Sequence, residues 1–220
     1  MAKNILFITC FFFSSFSLYA QINKKQFIVG GITNFSYSNT KGSINEVQNN
    51  YKKTSLQLSS DVGYFIINQL CAGVRIGISI SNDKQVHDGQ KSALPYYIST
   101  DSKVSSINIS PFIRYYFLDK NHKVNILSDV GYSFNFNREE SQMNSISTDP
   151  NNGGIIKSSS LSNSKYLSNS FTIAAGPVFF LNPKTSLELT LGYNFSKQSE
   201  LTTNTLLLGA GFHVHLGKSE

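Results

Sequence analysis

Hydrophobic and polar residues alternate along most of this chain. In residues 55–81, SLQLSSDVGYFIINQLCAGVRIGISIS, one face carries Leu56, Leu58, Ser60, Val62, Tyr64 and Ile66. The other carries Ser55, Gln57, Ser59, Asp61, Gly63 and Phe65. After a break at Asn68 the pattern resumes, with Ala72, Val74, Ile76, Ile78 and Ile80 opposite Gly73, Arg75, Gly77, Ser79 and Ser81. A period of two is the strand signature. It recurs over 26–38, 105–117, 123–137, 169–181, 185–197 and 204–216, which predicts eight strands. Each is long enough to cross a bilayer at a tilt, which takes roughly 9–11 residues. Pro111 and Pro177 fall inside these runs and remove a ladder donor each, so they are read as bulges or local edges.

The connections sort into two kinds. Those near 67–69, 119–122 and 182–184 are tight. Those over 39–53, 82–104 and 138–168 are long and polar, and the Ser- and Asn-rich third is expected to be a mobile loop. The connection over 198–203 is shorter. Short turns at one end and long loops at the other are the layout of a membrane barrel. The predicted fold is all-β: an eight-stranded antiparallel up-and-down transmembrane β-barrel with both termini at the periplasmic end.

Face chemistry assigns the orientation. An eight-stranded barrel has an interior just wide enough for side chains or one small ligand. The Gly, Ser, Thr and Asn face suits that interior. A soluble barrel would scatter Lys and Glu over its outer face, and neither face here does. Aromatics on the apolar face collect at strand ends. Phe35, Tyr37, Phe134, Phe136, Tyr193 and Phe195 lie toward the long loops, and Tyr64, Tyr115, Phe117, Phe179 and Phe212 toward the short turns. Two aromatic girdles around an aliphatic band are expected at the two bilayer interfaces.

Composition narrows the picture further. Charged residues make up 15% of the chain, against about a quarter in soluble domains. The net charge of +6 is scattered, with no basic stripe suited to nucleic acid. Residues 1–20 combine Lys3, an apolar stretch and Ala20 before Gln21, the pattern of a secretory signal peptide. The mature barrel domain is therefore expected over 21–220, with Cys71 as its one cysteine and no internal disulfide.

Charges on the inner face form the candidate site. With a turn centred on Asn68, Asp61 and Arg75 face each other across a hairpin. Arg114, Asp129 and Glu188 point the same way at a similar distance from the short turns. Three acids and two arginines at one depth can form a lumen ion-pair network, in which pairing offsets the cost of burial. Such a network either fixes a filled core or, by exchanging partners, gates a narrow water path.

The stretches DVGYFIINQLCAGVRIGIS, ISPFIRYYF and LLGAGFHVHL resemble the small eight-stranded outer-membrane β-barrel proteins of Gram-negative bacteria. The resemblance runs over nearly all of 21–220 and lies in pattern rather than in a sharp motif. It implies insertion into the outer membrane after export, with the lipid bilayer as first partner, a monomeric state and no cofactor. The expected role is non-enzymatic: envelope structure, or contact with a surface ligand through the loops. A narrow, porin-like channel for small solutes is the alternative, and a lipid-modifying barrel enzyme the third reading. His213 and His215, at i and i+2, could share a metal, but no third ligand is identifiable, so both are read as lining residues with no metal site.

Overall fold

The computed structural model describes residues 22–44, 47–89, 95–119, 122–149, 153–198 and 201–217. Residues 1–20, where a signal peptide is expected from the sequence, lie outside them. Eight strands follow one another: β1 (Phe27–Ile44), β2 (Val47–Ile67), β3 (Leu70–Asp88), β4 (Tyr96–Tyr116), β5 (Val124–Thr148), β6 (Ile155–Asn182), β7 (Thr185–Gln198) and β8 (Leu201–Leu216). Each pairs antiparallel with its sequence neighbours, and β1 pairs with β8 to close the barrel. Closure removes the free sheet edges, so the strands pair within the ring where no water can supply a partner.

The strands are staggered. From Tyr64 the directly opposed positions run through Ala72, Ile113, Val130, Ile173 and Tyr193 to Leu206 on β8. Travelling the other way, Tyr64 meets Phe27, which meets Leu216, ten residues along β8 from Leu206. That shear tilts the strands and fixes a narrow interior.

The long connections are not loose loops. β1–β2, β3–β4 and β5–β6 continue as paired ribbons well past the outer aromatics. β5 and β6 reach 25 and 28 residues and stay in register from Val124–Phe179 to Thr148–Ile155. Beyond the bilayer both faces of a ribbon meet water, so its residues no longer alternate in polarity. The Ser- and Asn-rich segment over 138–168, expected to be a mobile loop, instead supplies the end of β5, to Thr148, and the first half of β6, from Ile155.

The prolines interrupt the ladder without shifting it. On β4 the pairing to β5 lapses between Ile109 and Phe112, then resumes in the same register. On β6 the pairing to β7 lapses between Ala175 and Val178 in the same way. No extra residue enters, so neither site is a bulge. The register shifts fall elsewhere, at Phe65/Ile67 and Phe180/Asn182 beside the short turns. Beside Pro177, β7 approaches so closely that a Cβ on Gly176 would overlap the Leu189 carbonyl oxygen. Gly176→Ala is expected to lower stability by about 1–3 kcal/mol, the range for overpacking, read as a shift in the urea unfolding midpoint of the refolded barrel.

Candidate functional site

The lumen is built in three levels. At the base, inward side chains are apolar: Ile28, Phe65, Cys71, Phe112, Tyr116, Leu127, Val178 and Phe180 are all buried. Ile22 joins them because the chain before β1 folds across the barrel mouth. The Gln69 N–H donates to the Ile22 carbonyl, the Lys25 N–H to the Phe65 carbonyl, and the Lys24 N–H to Asn68 Oδ1. His215 stands between the Phe65 and Phe180 rings, with Nε2 3.1 Å from Ser186 Oγ.

Above this plug the five inward charges meet. Asp61 and Arg75 are directly opposed on β2 and β3, and Arg114 and Asp129 on β4 and β5. Arg75 grips Asp61 with two donors, Nε to Oδ1 at 2.8 Å and Nη2 to Oδ2 at 2.9 Å. Its Nη2 also reaches Asp129 Oδ2 at 3.1 Å. Arg114 spans the lumen: Nε donates to Asp129 Oδ2 at 3.0 Å, Nη1 to Glu188 Oε1 at 3.1 Å, and Nη2 to Asp61 Oδ2 at 3.4 Å. Both guanidinium groups lie over Phe112, 4.9 and 5.5 Å from its ring centre. The planar fork of arginine lets one side chain serve three carboxylates, which a lysine ammonium on a flexible stem would not do.

A sixth member went unassigned in the sequence. His213 Nε2 lies 3.4 Å from Asp61 Oδ2, and Nδ1 lies 3.2 Å from Glu188 Oε1. The route is Gly30, which pairs with Asp61 on one side and His213 on the other. A Cβ there would overlap the His213 ring, so the absent side chain is what lets imidazole lean across β1. The signal was legible: a glycine stands in register between an inward acid and an inward histidine. His213 and His215 turn to different neighbours, and among the described residues no group of three or more His, Cys, Asp or Glu could hold a metal ion.

The third level is polar. Asn34, Ser79, Asn108, Ser133, Asn135 and Asn194 are among the residues around a cavity of about 220 Å³, floored by Arg75. Near its rim Lys53 pairs with Asp83 at 3.3 Å. Burial, reinforced by the Asp83 carboxylate, pushes the nearby Tyr51 phenol up to about 12.

The outer surface is the inverse of this lumen. Leu58, Ile76, Ile109, Ile173, Leu189 and Leu191 stand exposed between the strand ends. The outward aromatics contact one another at both ends, mostly as i,i+2 neighbours, with Phe171 and Phe195 meeting across β6 and β7. Phe27 contacts Tyr64 and Tyr115 contacts Phe117 near the short turns, while Tyr132–Phe134 and Tyr193–Phe195 mark the other end. An apolar exterior around a closed, polar-centred ring defines an integral barrel of the outer membrane. The chain belongs to the family described as "Outer membrane protein beta-barrel domain", whose model matches residues 7–213.

Comparison with curated proteins returned no match. Among solved structures, the chain is similar to Neisserial surface protein A at 20% identity, over 86% of this chain and 96% of that one, with a TM-score of 0.41. It is similar to OprG from Pseudomonas aeruginosa at 11% identity, over 89% and 98%, with a TM-score of 0.44. It is also similar to Ail, the attachment invasion locus protein of Yersinia pestis, at 18% identity, over 87% and 99%, with a TM-score of 0.32.

Proposed function

We propose that this outer-membrane barrel is a non-enzymatic surface protein that presents its projecting hairpins to partners outside the cell, its lumen serving as a structural core. The carrying observation is the β5–β6 ribbon. It continues twelve residues past Phe136 to Thr148, paired throughout, and exposes Leu161, Ile155, Ile156 and Ile146 beyond the outer aromatics. Apolar side chains held in water along a continuously paired ribbon favour contact with a partner over a core role. The lumen supports the same reading. A solute entering the polar cavity meets the Arg75–Asp61–Arg114 layer and then the Phe65–Tyr116–Phe180 plug. Partner exchange among the charges would leave that plug in place.

Two measurements test the two halves of this reading. Cells displaying the full chain should adhere to epithelial cells and to abiotic surfaces. A variant with 141–162 replaced by a short turn, which removes all four apolar residues and leaves Glu140 paired with Asn163, should insert equally well and lose that adhesion. Undiminished adhesion would defeat the hairpin assignment. In planar bilayers the mature chain should give no discrete openings. Openings that change in Arg75→Ala would favour the alternative reading, a narrow channel with Asp61, Arg75, Arg114, Asp129 and Glu188 as its constriction.

A further inference from the structure

A belt of cations lies immediately outside the outer girdle. On six of the eight strands, an outward position one or two places past the end of the continuous apolar band is Lys or Arg. Arg138, Lys165 and Lys197 each stand two residues beyond Phe136, Leu167 and Phe195. Lys52, Lys84 and Lys103 each stand four residues beyond Leu56, Ile80 and Ile107. All six are exposed. The stagger of the strands brings them to a common level around the wall, where in sequence they are merely scattered.

The pairing within the belt is unfavourable by itself. Lys52 is directly opposite Lys84, and Arg138 directly opposite Lys165. Like charges in directly opposed positions destabilise a strand pair. Two acids lie just above. Asp101 Oδ1 is 3.5 Å from Lys84 Nζ, and Glu140 Oε1 is 3.2 Å from Arg138 Nη2. Both pairs are open to solvent, where such contacts contribute little. Among the described residues Lys52, Lys165 and Lys197 have no ion-pair partner, and Lys103 is directly opposite Glu140, whose carboxylate is held by Arg138. The arrangement calls for anions from outside the chain.

Directly beneath Arg138 and Lys165 the wall is concave. A groove of about 640 Å³ has an apolar floor that includes Ile78, Ile80, Ile107, Phe136 and Leu167, with the two cations at its rim. A floor within the aliphatic band fits an acyl chain, and a cationic rim at the interface fits a phosphate. Arginine in particular binds phosphate through paired N–H donors. A protein partner would cover one sector, whereas this belt follows the bilayer surface around most of the barrel, as basic residues that meet anionic headgroups do.

We propose that the β4–β6 sector is a site for a phosphate-bearing lipid of the outer leaflet: Arg138 and Lys165 hold the phosphate, and Ile107, Phe136 and Leu167 take an acyl chain. The other four cations extend the same contact to neighbouring headgroups.

The test uses the refolded mature chain in non-ionic detergent, titrated with a short-chain phosphorylated glucosamine lipid and followed by thermophoresis. Folding is checked by heat-dependent mobility on gels. The dephosphorylated lipid should bind at least tenfold more weakly. Arg138→Gln combined with Lys165→Gln should weaken binding at least tenfold while keeping the folded mobility, because it relieves a like-charge pair. Lys24→Gln combined with Lys157→Gln removes the same net charge away from the groove and should leave binding unchanged. Inorganic phosphate at millimolar concentration should not compete. Unchanged binding in the Arg138/Lys165 variant overturns the proposal, as does an equal loss in the Lys24/Lys157 control. Full competition by inorganic phosphate would make this a free-phosphate site and overturn it too. Lys52→Gln with Lys84→Gln, on β2 and β3 outside the phosphate-holding pair, supplies a second folded variant, expected to lose less than the groove pair.

Discussion

Arg114→Met is expected to lower the stability of the folded barrel by about 3–5 kcal/mol, the cost of removing one partner from a buried ion pair. Arg114 is fully buried and donates to Asp129, Glu188 and Asp61. Without it, three carboxylates share Arg75 and whatever His213 supplies. Glu188 suffers most, because Arg75 has no contact with it and its other neighbours are His213 and the Tyr116 hydroxyl, which donates at 3.4 Å. Methionine matches the apolar stem of arginine, so the loss reports charge rather than volume. The check is a urea titration in detergent, with heat-dependent mobility as the probe of folding. Adding Glu188→Gln to Arg114→Met should recover part of the loss, since it removes the stranded charge. A double-mutant cycle then isolates the coupling between the two residues. If Arg114→Met were as stable as the parent, the layer would hold no buried ionic network.

The fold was legible because a bilayer enforces contrast. Between Leu187 and Tyr193, or Ala72 and Ile80, every second side chain touches lipid, and the alternation is unbroken. Beyond Phe136 the contrast ends. Arg138, Glu140 and Gln142 alternate with Glu139 and Ser141, all polar, so the continued strand leaves no periodic trace. The same limit explains the apolar base of the lumen. Phe65, Phe112 and Tyr116 could be placed on the inner face, but their gathering with Phe180 and Ile22 depends on strand stagger and on a segment folding back from before β1. The inward charges could be listed from their faces alone, and Asp61 with Arg75 from one turn. Arg114 meeting Glu188 from β4 to β7 needs the closed ring. So does the cation belt, whose members lie in separate strands and share a level only after the shear is applied.

Leu191→Arg should cost about 2–4 kcal/mol, the range for a cation placed at the bilayer midplane on the lipid face of a barrel. The depth follows from β7 itself. Leu187 is opposed to Phe179 and Phe212 near the short turns, and Tyr193 with Phe195 stands toward the projecting hairpins, so Leu189 and Leu191 lie between. Leu191 is 63% exposed and packs against no core, so the substitution opens no cavity and strains no neighbour. What changes is the medium around the charge. Tyr37→Arg, at an outward position that is 58% exposed near the long-hairpin end of β1, should cost only about 0–1 kcal/mol, because the guanidinium reaches headgroups and water there. Both variants are read by urea titration in lipid vesicles, where the depth difference exists. The same pair measured in a detergent micelle should differ less, since a micelle deforms around a charge more readily. A Leu191→Arg variant as stable as Tyr37→Arg in vesicles would mean that this face does not meet hydrocarbon, and the apolar exterior of the barrel would need another solvent.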